Sequence, residues 1–179
     1  MTKEEKALIN SGKANEAFRV LLTTDKQDSL VLRQKSKTIE LTKDADDLKL
    51  FIERLKVTLE VEKGVGIAAP QVGILRNLFL IVRVDKPGAP VEAVINPTIV
   101  AHSDETVCFE SDGCLSIPET SGNSIRYPWI EVEYFNENGD KIREKLTGHS
   151  REDNFAAIIF QHEYDHLRGI LFIDKLCGK

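Results

Sequence analysis

Gln161-His162-Glu163-Tyr164-Asp165-His166 is the stretch of the chain whose residue types and spacing carry the most chemistry. His162 and His166 stand four residues apart, so on a helix both imidazoles project from one side and can hold a single ion. Glu163 follows the first of them, where its carboxylate can reach a water polarised by that ion and take its proton. The competing explanation is a surface helix that happens to carry two histidines. The chain has only 4 histidines, so placing two of them around a glutamate by accident is roughly a one-per-cent event. Accident also leaves unexplained why Phe155, Ile158 and Ile159 lead into the histidines along the same face. The pattern indicates a metal-dependent hydrolase.

Two histidines do not complete a catalytic site, which usually takes three protein ligands and keeps one position open. No Glu follows Glu163, which removes the thermolysin-type arrangement, and Phe172 stands where a metzincin carries its third His. The third ligand therefore comes from elsewhere: Cys108, Cys114, Cys177, His102, His149 or a scattered carboxylate. Cys114 is the leading candidate, because Gly113 beside it lets the backbone approach an ion and a metal converts the thiol to thiolate. Cys108 lies in an expected strand, 105–110, and reads as a small core residue. Cys177 is close to the terminus, where order is poor.

The elements that must position these groups can be read from periodicity. Thr2 and Glu5 form a capping box for a short helix ending near Gly12. Leu48, Phe51, Ile52, Leu55 and Leu59 recur at helical spacing, predicting a helix from Thr42, as cap, to Glu62, with Gly64 ending it. Residues 18–22 are apolar but too short to assign. The run 78–82 (Leu-Phe-Leu-Ile-Val) reads as a strand buried on both faces. Strands at 91–95 and 98–101 flank a break at Asn96-Pro97, and strands at 130–135 and 141–146 bracket a hairpin turn. The last helix would be capped by Ser150, with Asp153 at the capping-box position, and closed by Gly169. No internal repeat, low-complexity tract or linker interrupts the chain. Helices at both ends of a run of strands predict an α+β fold, antiparallel or mixed sheets around a central C-terminal helix.

Composition sets the outer bounds. A chain of 179 residues is one domain in size, and 41% hydrophobic with 30% charged residues is ordinary for a globular protein. A formal net charge of −5 and a pI near 5.5 argue against nucleic-acid binding as its task. No apolar run approaches the roughly 18 residues that span a bilayer, so no membrane partner is expected. The first residues, MTKEEKALINSGK, lack the apolar centre of an export signal. Three cysteines without framework spacing then predict free thiols in a reducing cytoplasm.

Three stretches together resemble the peptide deformylase family. They are Gly64-Val65-Gly66-Ile67-Ala68-Ala69-Pro70-Gln71, Asp112-Gly113-Cys114-Leu115-Ser116 and Gln161 to His166, in that family's order and with about its spacing. The similarity runs from about residue 18 to Lys175, leaving residues 1–17 as an appended N-terminal helix before a single catalytic domain at 18–179. The resemblance implies removal of the formyl group from the formyl-methionine of new polypeptides, possible proximity to the ribosome, and a cytoplasmic setting. It implies Cys114, His162 and His166 as metal ligands and Glu163 as general base and acid. It further implies an oxyanion site from the Gln71 side chain and the Leu115 backbone N–H. An extended substrate would pair with Val65 and Gly66, and its methionine side chain would lie among Phe155, Ile158 and Ile159. Fe(II) is the implied ion, with Zn(II), Ni(II) or Co(II) as replacements. Donor chemistry alone does not choose among them.

The chain departs from the family pattern in places. Asp112 stands where the motif carries Glu, and it is expected to pair with Arg126. Ser121 occupies a position where many bacterial members have an Arg beside the substrate groove. With so few residues after Asp174, the C-terminal helix of many bacterial members, and ribosome docking through it, are not expected. A zinc peptidase, or an inactive protein that binds chain N-termini, are the alternatives from other classes. Release of formate, or its absence, separates them from the first reading.

Overall fold

The computed structural model describes residues 1–178. Four helices are α1 (Lys3–Ile9), α2 (Lys26–Leu32), α3 (Ala45–Glu62) and α4 (Ala156–His166). Seven strands are β1 (Gly66–Ala68), β2 (Leu78–Val82), β3 (Val91–His102), β4 (Val107–Cys114), β5 (Ile117–Arg126), β6 (Trp129–Phe135) and β7 (Lys141–Thr147). Five of them form an antiparallel sheet in the order β1-β2-β3-β6-β7, and β4 with β5 makes a second, two-stranded sheet. The fold is α+β, as the order of elements predicted. No helix among the described residues is long and apolar enough to cross a membrane.

Strand β2 explains how the layers are held. Leu78 and Leu80 enter one core with Phe51, Leu55 and Leu59 of α3, while Phe79 and Ile81 enter another with Ile159 and Phe160 of α4. Alternate side chains point to opposite faces of a strand, so this run glues a helix to each side of the sheet. Phe79 meets Phe160 edge to face at 4.9 Å between centroids. Helix α4 is buried along its whole length, polar residues included. Such a helix belongs in the interior, and its His, Glu, Asp and Gln side chains there each need a partner or a ligand.

Several boundaries differ from the sequence expectation, each for a local reason. Helix α1 keeps its Thr2–Glu5 capping box but ends at Ile9. Thr42 does not cap α3. Asp44 precedes its first residue and makes no side-chain cap, because its carboxylate takes the N-terminal ammonium at 2.6 Å and Lys6 at 3.1 Å. The chain leaves α3 through Lys63 in the left-handed region, so Gly64 is not the terminator. Ser150 and Asp153 do not cap α4 either. Its first turn starts at Ala156, whose N–H donates to Asn154 Oδ1 at 2.9 Å after residues 149–154 have closed a loop. Strand β3 passes through Asn96-Pro97 without breaking. Asn96 has φ of 51° within a register shift, a bulge that accommodates a residue with no N–H to donate. Helix α2 was not anticipated, although Asp25 caps it in the ordinary way through the N–H groups of Gln27 and Asp28.

The cysteine expectation fails for two residues. Cys108 and Cys177 form a disulfide across 69 residues, with Cα atoms 5.9 Å apart, and Cys114 is the free cysteine. Cys108 is exposed on β4, not a core residue. Leu176 bridges to Ser124, and the Cys177 N–H donates to Asn123 O at 2.8 Å, so the C-terminal segment joins the small sheet and brings the two sulfurs together. An odd count requires one unpaired thiol and leaves the state of the others to the fold.

Candidate metal centre and cleft

Cys114 ends β4, and the two-residue turn Leu115-Ser116 returns the chain into β5. His162 and His166 come from α4, so the three donors arrive from the small sheet and the central helix. One ligand atom from each lies within 4.8 Å of the others. Cys114 Sγ is 3.3 Å from His166 Nε2. His162 Nδ1 is 3.0 Å from Asp112 Oδ1, which fixes the ring and leaves Nε2 for the converging point. One cysteine sulfur and two imidazoles suit a divalent transition metal, and the convergence of half-buried Cys114 with buried His162 and His166 fits one. His102 and His149 lie apart from this cluster. The first stacks on Tyr127 at 3.9 Å and the second faces Asp153.

A bulge puts Asp112 in place. Phe109 and Asp112 are the buried residues of β4, three apart instead of two, with a register shift between them and Ser111 at a φ of 55°. The extra residue turns Asp112 inward toward α4. Its Oδ2 accepts from Ser124 Oγ at 2.6 Å and from Arg126 Nη2 at 2.9 Å. Arg126 also donates to Asp165 Oδ2 at 2.6 Å, and Lys175 holds the other Asp165 oxygen at 2.8 Å. The expected Asp112–Arg126 pair is therefore one link of a buried chain running from His162 to Lys175. Burial alone would raise the Asp112 pKa, but His162, Arg126 and Ser124 hold it well below the usual carboxylate range. Burial likewise opposes the His162 imidazolium, yet Asp112 and Cys114 outweigh it and raise its pKa. His166 Nδ1 has no partner among the described residues, and the imidazole pKa is pushed down by burial and by the His162 charge.

Glu163 faces the cleft from the same helix. It is buried, and its Oε2 has no hydrogen-bond partner among the described residues. Burial raises its pKa to about 7. The carboxylate lies against Gly66 of β1 so closely that a Cβ there would overlap Glu163 Oε1. Here glycine is required for close approach, a role the sequence motif does not reveal by itself. Gln71 sits in the 3-10 turn after β1. Its Oε1 accepts from Ala68 N at 2.8 Å, which aims Nε2 at Ser116 Oγ, 3.2 Å away, and toward Cys114 Sγ at 3.6 Å.

These groups floor a cleft of about 640 Å³. Val65, Gly66, Leu115, Phe155, Ile158 and Ile159 all line it, so every substrate-side residue read from the sequence is gathered at one place. Strand β1 is the last strand of its sheet, with Val65 O accepting from Val82 N at 2.8 Å on the inner side. Phe109 and Arg151 line the cleft too and were not foreseen. Phe109 shares its alternation with the core, and Arg151 lies in a polar loop with no motif. Ser124, Asp165 and Lys175 were likewise missed as parts of the Arg126 network, and only the position of Asp165 within the histidine motif hinted at a role.

The polypeptide deformylase family model matches residues 19–179. A peptide deformylase of Thermotoga sp. strain RQ2 is 44% identical over 146 residues, covering 82% of this chain and 81% of that one. The crystal structure of peptide deformylase from Thermotoga maritima superimposes with a TM-score of 0.78 at 38% identity, over 91% of this chain and 99% of the other. A Met-Ala-Ser-bound class I type b peptide deformylase from Acinetobacter baumannii superimposes with a TM-score of 0.77 at 27% identity, over 90% and 99% of the two chains. The chain therefore belongs to the polypeptide deformylase family, metal-dependent hydrolases that remove the N-formyl group from nascent polypeptides.

Proposed function

We propose that Cys114, His162 and His166 hold the metal and that Glu163 moves the proton as the formyl group leaves the N-terminal formyl-methionine of a new chain. The observation that carries this assignment is Glu163 itself, a buried carboxylate with an unpaired oxygen beside three converging donors. The ion, when bound, supplies Lewis acidity that lowers the pKa of water and polarises the formyl oxygen. Fe(II) is the working ion in this reading, with Zn(II), Co(II) and Ni(II) compatible with the same donors.

Glu163 takes a proton from the attacking water and returns it to the amine nitrogen as the C–N bond breaks, so formate and a free N-terminus leave. Burial, which raises the Glu163 pKa, favours the carboxyl taking up the proton that it then passes on. Gln71 Nε2, steered by Ala68 N and Ser116 Oγ, donates to the oxyanion together with the Leu115 backbone N–H. Asp112 and Arg126 orient His162. The peptide extends along Val65 and Gly66 as an added strand, and the methionine side chain enters among Phe155, Ile158 and Ile159. Binding of Met-Ala-Ser by the Acinetobacter baumannii relative is consistent with a peptide lying in this cleft.

Residues 1–17 form an appendage to the catalytic domain, a division supported by the start of the family match at residue 19. The substrate, a newly made chain close to the ribosome, places the reaction in the cytoplasm. The test is formate release from formyl-Met-Ala-Ser by anaerobically prepared protein whose metal content is measured. Glu163→Ala is expected to keep the metal and lose at least about a hundredfold in kcat. Full activity in that variant would sink the general-base assignment, and cleavage of internal peptide bonds without formate would favour a peptidase.

A further inference from the structure

Phe109 of β4 and Phe155, just ahead of α4, stack with centroids 6.0 Å apart and planes 22° from parallel. Both line the cleft with Ile158 and Ile159. Arg151, from the exposed loop before α4, lies over this pair. Its guanidinium carbon is 5.2 Å from the Phe109 centroid and 5.4 Å from that of Phe155. Its one hydrogen bond among the described residues runs from Nη2 to Ser111 O at 3.0 Å. Holding an exposed arginine in one place costs rotamer entropy, which two ring faces and a carbonyl offset here. The carbonyl is available because the β4 bulge turns Ser111 out as it turns Asp112 in.

We propose that Arg151, laid on Phe109, is the roof of the side-chain pocket and a specificity-determining residue for the first amino acid of the substrate. The inference rests on the reading above, which puts the methionine side chain among Phe155, Ile158 and Ile159. A flat cation over two stacked rings closes one side of an apolar slot. Methionine, unbranched and flexible, threads such a slot, whereas an aromatic side chain needs the roof to lift. The guanidinium N–H groups not used by Ser111 can also meet the thioether sulfur, a weak acceptor that an aromatic ring edge does not offer. Arg151 and Phe109 are neither metal ligands nor proton carriers in this reading, so this part of the selectivity can be tested apart from Cys114, His162, His166 and Glu163.

The experiment measures binding of Met-Ala-Ser and Phe-Ala-Ser by calorimetry to the metal-loaded wild type, R151A and R151K. The wild type is expected to prefer Met-Ala-Ser, and R151A to lose roughly tenfold of that preference, the size of effect a single pocket contact supplies. R151K keeps the charge but not the flat face and should fall between the two. F109L removes the ring beneath Arg151 and should lower the preference in the same direction. An R151A protein with the wild-type ratio overturns the proposal, as does a loss shared equally by both peptides or a wild type that does not distinguish them. Formate release from formyl-Met-Ala-Ser, followed in parallel, tests the deformylase reading separately, because peptide selectivity and turnover can fail independently.

Discussion

Breaking the Cys108–Cys177 bond is the perturbation whose size can be worked most directly from the fold. The bond closes a separation of 69 residues, and the chain-entropy relation for such a loop gives about 4 kcal/mol at 25 °C. The native contacts of the tail do not need the bond. Lys175 still reaches Asp165 at 2.8 Å, Arg33 still pairs with Asp174, and Leu176 still bridges to Ser124. The loss should therefore arise in the unfolded chain, which gains freedom, while the folded structure stays as it is. For a chain of this length the melting temperature should fall by roughly 10 °C. The assay is urea unfolding of Cys108→Ser/Cys177→Ser against the wild type, both stripped of metal so that ligand binding does not enter. Thiol titration in urea should find Cys114 alone in the untreated wild type and all 3 cysteines after reduction. A midpoint shift worth less than about 1 kcal/mol would refute the entropic account. Three titratable thiols before reduction would refute the bond.

Further outcomes follow from the site and its supports. Gly66→Ala should displace Glu163 and lower kcat by about a hundredfold while metal content, read by elemental analysis, stays at the wild-type level. Arg126→Ala leaves the buried Asp112 and Asp165 carboxylates without their shared partner, and urea unfolding should register a loss of about 3–5 kcal/mol. At the start of α2, the Arg19 guanidinium and the Leu22 N–H hold the Asp28 pKa down to about 2. A carboxyl with a depressed folded pKa stabilises above its unfolded value near 3.8 and loses that effect as pH falls toward 2. The stability gap between wild type and Asp28→Asn should therefore be full at pH 7 and shrink between about pH 4 and pH 2 in acid titrations followed by circular dichroism. A gap that does not change with pH would mean the carboxylate charge is irrelevant there.

The chemistry of this protein is local in sequence, and for that reason much of it could be read directly. A helix alone brings His162 and His166 to one side and sets Glu163 beside them, because i and i+4 superpose on any helix. The strand at 78–82, the hairpin of β6 and β7, and the capping box of α1 are likewise properties of short segments. Cys114 stood out by type and by Gly113, but nothing in the spacing between it and His162 could distinguish it from the other candidates before the family motifs were considered together. That selection belongs to the β4–β5 turn packed under α4. The Asp112 bulge, the overlap that forces glycine at 66, the Arg126 network and the Arg151 roof all join residues dozens of positions apart, and periodicity carries no information about such pairs. The failed helix caps have the same origin: Asp44 found the N-terminal ammonium, and the loop before α4 closed on itself, so tertiary partners displaced local ones. The cysteines mark the division most sharply. Sequence counts three and makes Cys114 the leading candidate for a metal, while only the docking of the C-terminal segment on β5 decides that the other two meet.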